Sequence, residues 1–464
     1  MHTATVMPLT LAGLARCGAG RLVGEDRSVA AISIDSRSLP PGALFVALRG
    51  ERFDGHDFVQ AAADRGACGL LVERELPVRI PQIVVSNTLE ALTACARTQR
   101  QRFSGPVVGI TGSNGKTTTK EMVGAILGGI GACLVTRGNL NNHIWVPLTL
   151  LELRAEHRYA VIEMGANHVG EIAHLASLAE PTVGIVTNAG AAHLEGFGSL
   201  AGVAQGKGEM FRALPPEGVA VINADDTFAA QWRDSSAADR VLTFGFEQPA
   251  DFMAHKVKTQ SDASGFRTDF ELVTPYGSKP ATLALGGLHN LRNALGAAAA
   301  ACAVGVEIDE IVAGLAAMKS VAGRLELKPA LNGAFLVDDS YNANPSSLKA
   351  GLDAFRTFGG VRWLVLGEMR ELGDSADELH AEVGRYAKQA GIARLFAVGE
   401  RSRFAVEAFG RGAQWFGSLD ALIAEASKSL TTGVAVLIKG SRANRLERVA
   451  AALALHKPQG TDGH

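Results

Sequence analysis

The sequence predicts an α/β protein of three domains. A small N-terminal α/β domain is expected over residues 1–85. A central phosphate-loop domain with a doubly wound, mainly parallel sheet follows over 86–322, and a C-terminal Rossmann-like α/β domain over 323–464. Three observations carry the prediction. A chain of 464 residues is too long for a single hydrophobic core and fits about three domains. Short continuous apolar runs alternate with helix-length segments, as strands buried on both faces of a parallel sheet do. One of those runs ends in a glycine-rich turn that opens a helix, the usual place for a phosphate at the carboxyl edge of such a sheet.

Taken in order, residues 1–20 read as a helix. The first block then gives strand candidates at 30–34, 43–48, 69–72 and 83–85, separated by turn clusters such as Leu39-Pro40-Pro41-Gly42. In the second block 106–111 is a strand and 117–127 a helix, and 159–163, 183–187 and 219–222 are further buried strands. Residues 266–273 and 280–285 alternate around Thr274-Pro275-Tyr276-Gly277, which predicts a hairpin, and the alanine-rich 289–303 is helical. In the third block the strands are 334–338, 362–367, 394–398 and 434–438, and Ser375-x-x-Glu378 is expected to form a capping box.

Composition narrows the function. Hydrophobic residues make up 47% and charged residues 20%, as in ordinary globular proteins. Forty-five basic against 47 acidic residues leave a net charge of −2, which argues against a nucleic-acid partner. The five cysteines (Cys17, Cys68, Cys95, Cys133, Cys302) contain no Cys-x-x-Cys, so neither a disulfide framework nor a zinc site is expected, and a cytoplasmic location fits. Arg16 interrupts the apolar start, which lacks a basic leader and does not read as a signal peptide. The low-charge stretch 295–306 is too short to span a bilayer, so no membrane insertion is expected. The polar tail 458–464 is expected to be disordered.

The chemistry starts at Thr111-Gly112-Ser113-Asn114-Gly115-Lys116-Thr117-Thr118. Glycines let backbone N–H groups converge on phosphate oxygens, Lys116 reaches the terminal phosphates, and the Thr117 hydroxyl is a magnesium ligand. Ile110 stands where the general motif has its first glycine, so the loop is a tighter variant; the plain alternative is a glycine turn between strand and helix. Glu163 ends one strand and His193 follows another, so both are expected in the same crevice. A carboxylate and an imidazole there suit a second magnesium bridging phosphate and acceptor, although magnesium prefers oxygen. On spacing alone a helix-capping Glu and a structural His remain equally open, and Lys207 by itself reads as a solvated helix lysine.

Further segments are Asp35-Ser36-Arg37, Gly55-His56, Asn139-Leu140-Asn141-Asn142, His289-Asn290-Leu291-Arg292-Asn293, Ala322-Gly323-Arg324, Asp338-Asp339-Ser340-Tyr341-Asn342-Ala343-Asn344-Pro345, Leu366-Gly367-Glu368-Met369-Arg370-Glu371-Leu372-Gly373 and Lys439-Gly440-Ser441-Arg442. Together with the phosphate loop they resemble the Mur ligase family, the ATP-dependent amide ligases of peptidoglycan precursor synthesis. Within it they resemble the branch that adds D-alanyl-D-alanine to UDP-N-acetylmuramoyl-tripeptide.

The resemblance implies ATP and magnesium as cofactors and those two compounds as partners, with a monomer expected. It implies that Glu163, His193 and Lys207 hold metal, with Lys207 carbamylated as in many members, which requires a neutral amine. Lys116 and Arg324 join them in catalysis, and His289, Asn290, Asn293, Arg324 and Asp339 are expected on the nucleotide. Asp35, Ser36, Arg37, Gly55 and His56 are expected at the UDP end, and Asn139, Asn141 and Asn142 under the muramoyl group. Asn342 and Asn344 are expected on the incoming dipeptide, with Lys439 or Arg442 facing its carboxylate. Trp145 stands where the resemblance predicts glycine, and its ring is expected to reshape the muramoyl loop. Two alternatives remain: a related ligase of the folylpolyglutamate synthase kind or another taking a single amino acid, and a nucleotide-dependent switch.

Overall fold

The protein, described here from a computed structural model over residues 9–262 and 265–455, is built on four sheets. The first half of the predicted opening helix and the polar tail lie outside the described residues. Leu11–Cys17 is the part of that helix described, with Thr10 at its N-cap accepting from Gly13 N–H.

The first sheet runs in the order Arg21–Val23, Gln82–Val84, Gly69–Val72, Ala43–Val46, Ala31–Ser33, and only Arg21–Val23 is antiparallel to its neighbour. The second has six parallel strands in the order Arg240–Phe244, Val219–Asn223, Val183–Val186, Val107–Thr111, Tyr159–Glu163, Cys133–Val135. Strand order reverses at Val107–Thr111, so a crevice opens beyond its carboxyl end, where ligands bind such sheets. A three-stranded antiparallel sheet of Met253–Asp262, Gly265–Thr274 and Gly277–Leu283 packs behind it. The last sheet runs Glu326–Pro329 (antiparallel), Phe335–Asp338, Val434–Lys439, Val361–Gly367, Arg394–Val398, Ala413–Phe416.

The helix Leu288–Ala303 shows how composition sets packing. Ala297 through Ala301 are fully buried, and a Cβ on Gly296 would lie 2.9 Å from Ile185 and 3.1 Å from Phe244. Small side chains thus let this helix press against the sheet beside the phosphate-loop helix Lys116–Gly128. The three-stranded sheet and the C-terminal sheet are joined at a hydrophobic contact. Phe266 belongs to the core of the C-terminal domain, edge-on to Phe358 at 5.0 Å.

One capping expectation fails. Ser375 precedes the helix Ala376–Gln389 but makes no side-chain cap bond, because a 3-10 turn, Gly373–Ser375, leads straight into it. The capping boxes form instead at Glu307 with Glu310 and at Asn344 with Ser347.

Candidate active site

The phosphate loop follows Val107–Thr111 as the strand-turn-helix order requires. Gly112 and Gly115 have φ of +137° and +83°, and a Cβ at either would come within 2.3 Å of Thr187 Oγ1 or Asn293 Oδ1, so both glycines are structurally obligatory. Thr187 and Asn188, at the end of the adjacent strand, brace the loop. Thr187 Oγ1 donates to the Asn114 carbonyl at 2.6 Å, and Asn188 Oδ1 accepts from Asn114 N–H at 3.1 Å. Neither was expected as a site residue, although a strand's carboxyl end is where such residues collect. Lys116 Nζ folds back on the Gly112 carbonyl at 2.7 Å, and burial holds its pKa below the usual lysine value.

The loop, Glu163, His193 and C-terminal residues line one cavity of 1070 Å³ between the central and C-terminal sheets. Glu163 is 1% exposed. Its Oε1 accepts from Asn141 Nδ2 at 2.7 Å, while Oε2 is buried with no hydrogen-bond partner. His193, in the left-handed region at φ +55°, pairs through Nδ1 with Glu371, which crosses from the C-terminal domain. Burial lowers the His193 pKa first; Glu371 opposes this and Lys116 and Lys207 add to it. Among the described residues no three His, Cys, Asp or Glu side chains converge as a complete metal cage. The orphaned Glu163 oxygen nevertheless fits a cation.

Lys207 is not a solvated lysine. It is 1% exposed, donates to the Ala166 carbonyl at 3.0 Å and lies over the Phe197 ring at 5.0 Å. Burial, then Lys116, pushes its pKa well below the usual value against the pull of Glu171 and Glu209.

The C-terminal domain reaches into the cavity. Arg324 Nη2 donates to Thr117 Oγ1 at 2.9 Å, with its guanidinium 4.3 Å from the Tyr341 ring centroid; the exposed Arg442 faces that ring at 5.3 Å. Tyr341 stands inside the Asp339–Asn344 segment and was missed because an aromatic there carries no signal without its arginine neighbours. Asp339 is buried against Lys439 at 2.6 Å; burial raises its pKa while Lys439 pulls it down. Lys439 also donates to the Asn342 carbonyl at 3.0 Å. Its ammonium is therefore committed within the loop, which leaves Arg442 as the freer cation for a carboxylate.

Asn344, expected on the dipeptide, is occupied otherwise. It caps the helix Pro345–Phe355 by accepting from Ser347 N–H at 2.8 Å, and its Nδ2 donates to Asn114 Oδ1 at 2.8 Å across the cavity. Asn290 Nδ2 donates to the Gly286 carbonyl at 2.8 Å, and Asn293 packs on Gly115. His289 lines the cavity, its pKa lowered to about 4 by burial first and then by Lys439 and Arg292.

The N-terminal expectations fare differently. Asp35 and Arg37 bind each other at 2.8 Å, Arg37 is 86% exposed, and neither they nor the buried Ser36 line the cavity. The Arg37 hydrogen bond holds the Asp35 pKa at about 2. His56 is fully buried, with Nδ1 on Asp54 at 2.5 Å and Nε2 accepting from Glu73 N–H at 2.9 Å. Gly55 lies so close to Leu48 that a Cβ would sit 2.7 Å from its backbone. Both residues therefore hold the local turn, and both His56 ring nitrogens are taken. Asn139, Asn141 and Asn142 do line the cavity. Asn142 Oδ1 accepts from Trp145 N–H at 3.1 Å, and the Trp145 ring packs on the core, so it starts the helix Trp145–Leu150 and leaves the loop facing the cavity.

Comparison with known proteins agrees with this geometry. The chain matches the family models "Mur ligase family, catalytic domain" over residues 28–100, "Mur ligase middle domain" over 110–301 and "Mur ligase, glutamate ligase domain" over 323–442. It is 44% identical to the UDP-N-acetylmuramoyl-tripeptide–D-alanyl-D-alanine ligase of Escherichia coli K12, covering 97% of this chain and 99% of that protein. A MurF crystal structure from Acinetobacter baumannii superposes with a TM-score of 0.87 at 36% identity, covering 96% of this chain and 98% of that one. MurF from Thermotoga maritima in complex with ADP gives 0.80 at 28% identity, covering 91% and 96%. A phosphate loop facing a C-terminal arginine across one cavity, in a chain similar to these proteins along nearly its whole length, belongs to the Mur ligase family.

Proposed function

We propose that this chain is the ATP-dependent ligase that joins D-alanyl-D-alanine to UDP-N-acetylmuramoyl-tripeptide, giving the pentapeptide precursor of peptidoglycan, ADP and phosphate. The observation that carries this reading is the convergence of Lys116, Glu163, His193, Arg324 and the Asp339 loop on one cavity, in a chain 44% identical over 451 residues to a ligase of that name.

A carboxylate is a poor electrophile, so the tripeptide carboxylate is activated as an acyl phosphate, and the dipeptide amine displaces phosphate from it. Lys116 leaves its carbonyl partners for the phosphate oxygens, and Arg324 adds charge from the opposite side, as an arginine delivered by closure does. Bound magnesium supplies further positive charge against the phosphoryl oxygens; Thr117, Glu163, His193 and a carbamylated Lys207 are the residues proposed to hold it. Burial supports the carbamate, because CO₂ adds to the neutral amine. His289, Asn290 and Asn293 border the nucleotide side, Asn139 and Asn142 the muramoyl side, and Asn342 and Arg442 the dipeptide side. The Asp339 loop closes over the cavity and excludes water that would hydrolyse the acyl phosphate.

Residues 1–85 are proposed to bind the UDP end, 86–322 ATP, and 323–464 the dipeptide. The enzyme is proposed to act as a cytoplasmic monomer; among the described residues no helix is long and apolar enough to cross a membrane.

Phosphate release with ATP, magnesium and UDP-N-acetylmuramoyl-tripeptide, with and without D-alanyl-D-alanine, tests the reading. Dependence on the dipeptide with a pentapeptide product supports it. Release with a single amino acid instead, or release independent of acceptor, overturns it.

A further inference from the structure

Behind Glu163 lies a charged side chain with no part in the steps above. Lys120, one turn beyond Lys116 on the phosphate-loop helix, is 0% exposed, and its Nζ donates to the Gly138 carbonyl at 2.7 Å. The same Nζ lies 2.9 Å from Glu121 Oε1 and 3.8 Å from Glu163 Oε2, the oxygen without a hydrogen bond. Gly138, at φ +54°, opens the turn that carries Asn139, Asn141 and Asn142. From that turn Asn141 returns to Glu163 at 2.7 Å, and its carbonyl accepts from Gly165 N–H at 2.9 Å. A closed circuit results, running from helix to Lys120, to the Gly138 turn, to Asn141, to Glu163 and back to Lys120.

Burying an ammonium is costly, and an apolar side chain of similar volume would often be as stable there or more so. Stability alone therefore gives no reason for a lysine, whereas the circuit does: one cation ties the acceptor-side loop and the metal-facing carboxylate to the helix that begins at the phosphate loop. We infer that Lys120 is a positioning residue that keeps Glu163 and the Asn139–Asn142 turn in register with the phosphate loop, and so governs capture of the anionic nucleotide-sugar peptide and of the divalent cation. Nucleotide affinity itself is set by the loop backbone and Lys116 and should not depend on it. The inference rests on the ligase reading above.

The test compares the full-length wild type with Lys120→Met, which removes donor and charge, and Lys120→Gln, which keeps a donor for the Gly138 carbonyl. In Lys120→Met the KM for UDP-N-acetylmuramoyl-tripeptide should rise by about tenfold or more, and Mn²⁺ binding followed by electron paramagnetic resonance should weaken by a similar factor. ADP affinity by calorimetry should stay within about twofold, and Lys120→Gln should fall between Lys120→Met and wild type. Unchanged acceptor KM overturns the inference. So does tighter Mn²⁺ binding, the result expected of a lysine that merely repels a second cation. If Lys120→Met does not fold, Lys120→Gln decides by the same two readouts. A wild type without dipeptide-dependent turnover would remove the ligase reading, and Mn²⁺ binding would still decide the role of Lys120.

Discussion

Lys207 and His289 are both driven toward their neutral forms by burial, with different consequences. For Lys207 the neutral amine is what CO₂ requires. Enzyme prepared with ¹³C-bicarbonate should show a carbamate resonance that is absent from Lys207→Met, and that variant should lose about 100-fold in kcat. Absence of the resonance from the wild type would remove the carbamate from the site. For His289 the folded pKa of about 4 lies below the ordinary value of 6.5. The unfolded chain then binds the proton first, so this residue's share of stability is complete above pH 6.5 and is lost as the pH falls from 6.5 toward 4. Thermal melts of wild type and His289→Asn should converge over that window, and a constant gap would refute the assignment. The family resemblance is what put both residues near the chemistry. It could not show their protonation, because no residue type or spacing records what surrounds a side chain.

At the scale of single elements, the N-terminus of the helix Pro345–Phe355 does two things at once. Asn344 accepts from Ser347 N–H and donates to Asn114. Asn344→Asp keeps the first bond and loses the second; Asn344→Ala loses both. Asn344→Ala should therefore lower stability by about 1 kcal/mol, while Asn344→Asp should melt near the wild type, and both should lower kcat. Equal kcat in Asn344→Asp and wild type would confine the residue to capping. The same helix start was legible as Asn-Pro, a sound opening for a helix, yet its second bond depends on a loop 230 residues away in sequence. The Ser375 cap failed because the chain enters that helix through a 3-10 turn, and Ser375 makes no side-chain cap bond.

For the whole molecule, four polar contacts cross the cavity between the central and C-terminal domains: Arg324 with Thr117, Asn344 with Asn114, Asn114 with Ser346, and Glu371 with His193. Phe266, edge-on to Phe358 in the C-terminal core, provides an apolar joint between the two domains. Arg324→Lys keeps a charge but loses the planar fork that stacks on Tyr341 while reaching Thr117, so kcat should fall by about 10³-fold with little change in ADP affinity. A fall of less than about tenfold would place Arg324 outside the transition state. Phe266→Ala should cost about 3 kcal/mol and separate the melting of the two domains, which calorimetry would show as two transitions.

The sequence by itself determined the interior parallel strands and the phosphate loop, because apolar runs, glycines and Gly-Lys-Thr act through local backbone geometry that neighbours in sequence dictate, and its motifs carried the resemblance to the family. It missed the edge strands Arg21–Val23, Cys133–Val135, Arg240–Phe244, Met253–Asp262, Glu326–Pro329 and Ala413–Phe416, most of which are short or only partly buried and carry little pattern. Only the tertiary structure decided that His56 and Gly55 serve the turn, that Lys439 belongs to Asp339, that Glu371 meets His193 and that Lys120 stands behind Glu163. Each of these depends on which side chains burial and charge bring together from distant parts of the chain, and that pairing is fixed when the sheets pack.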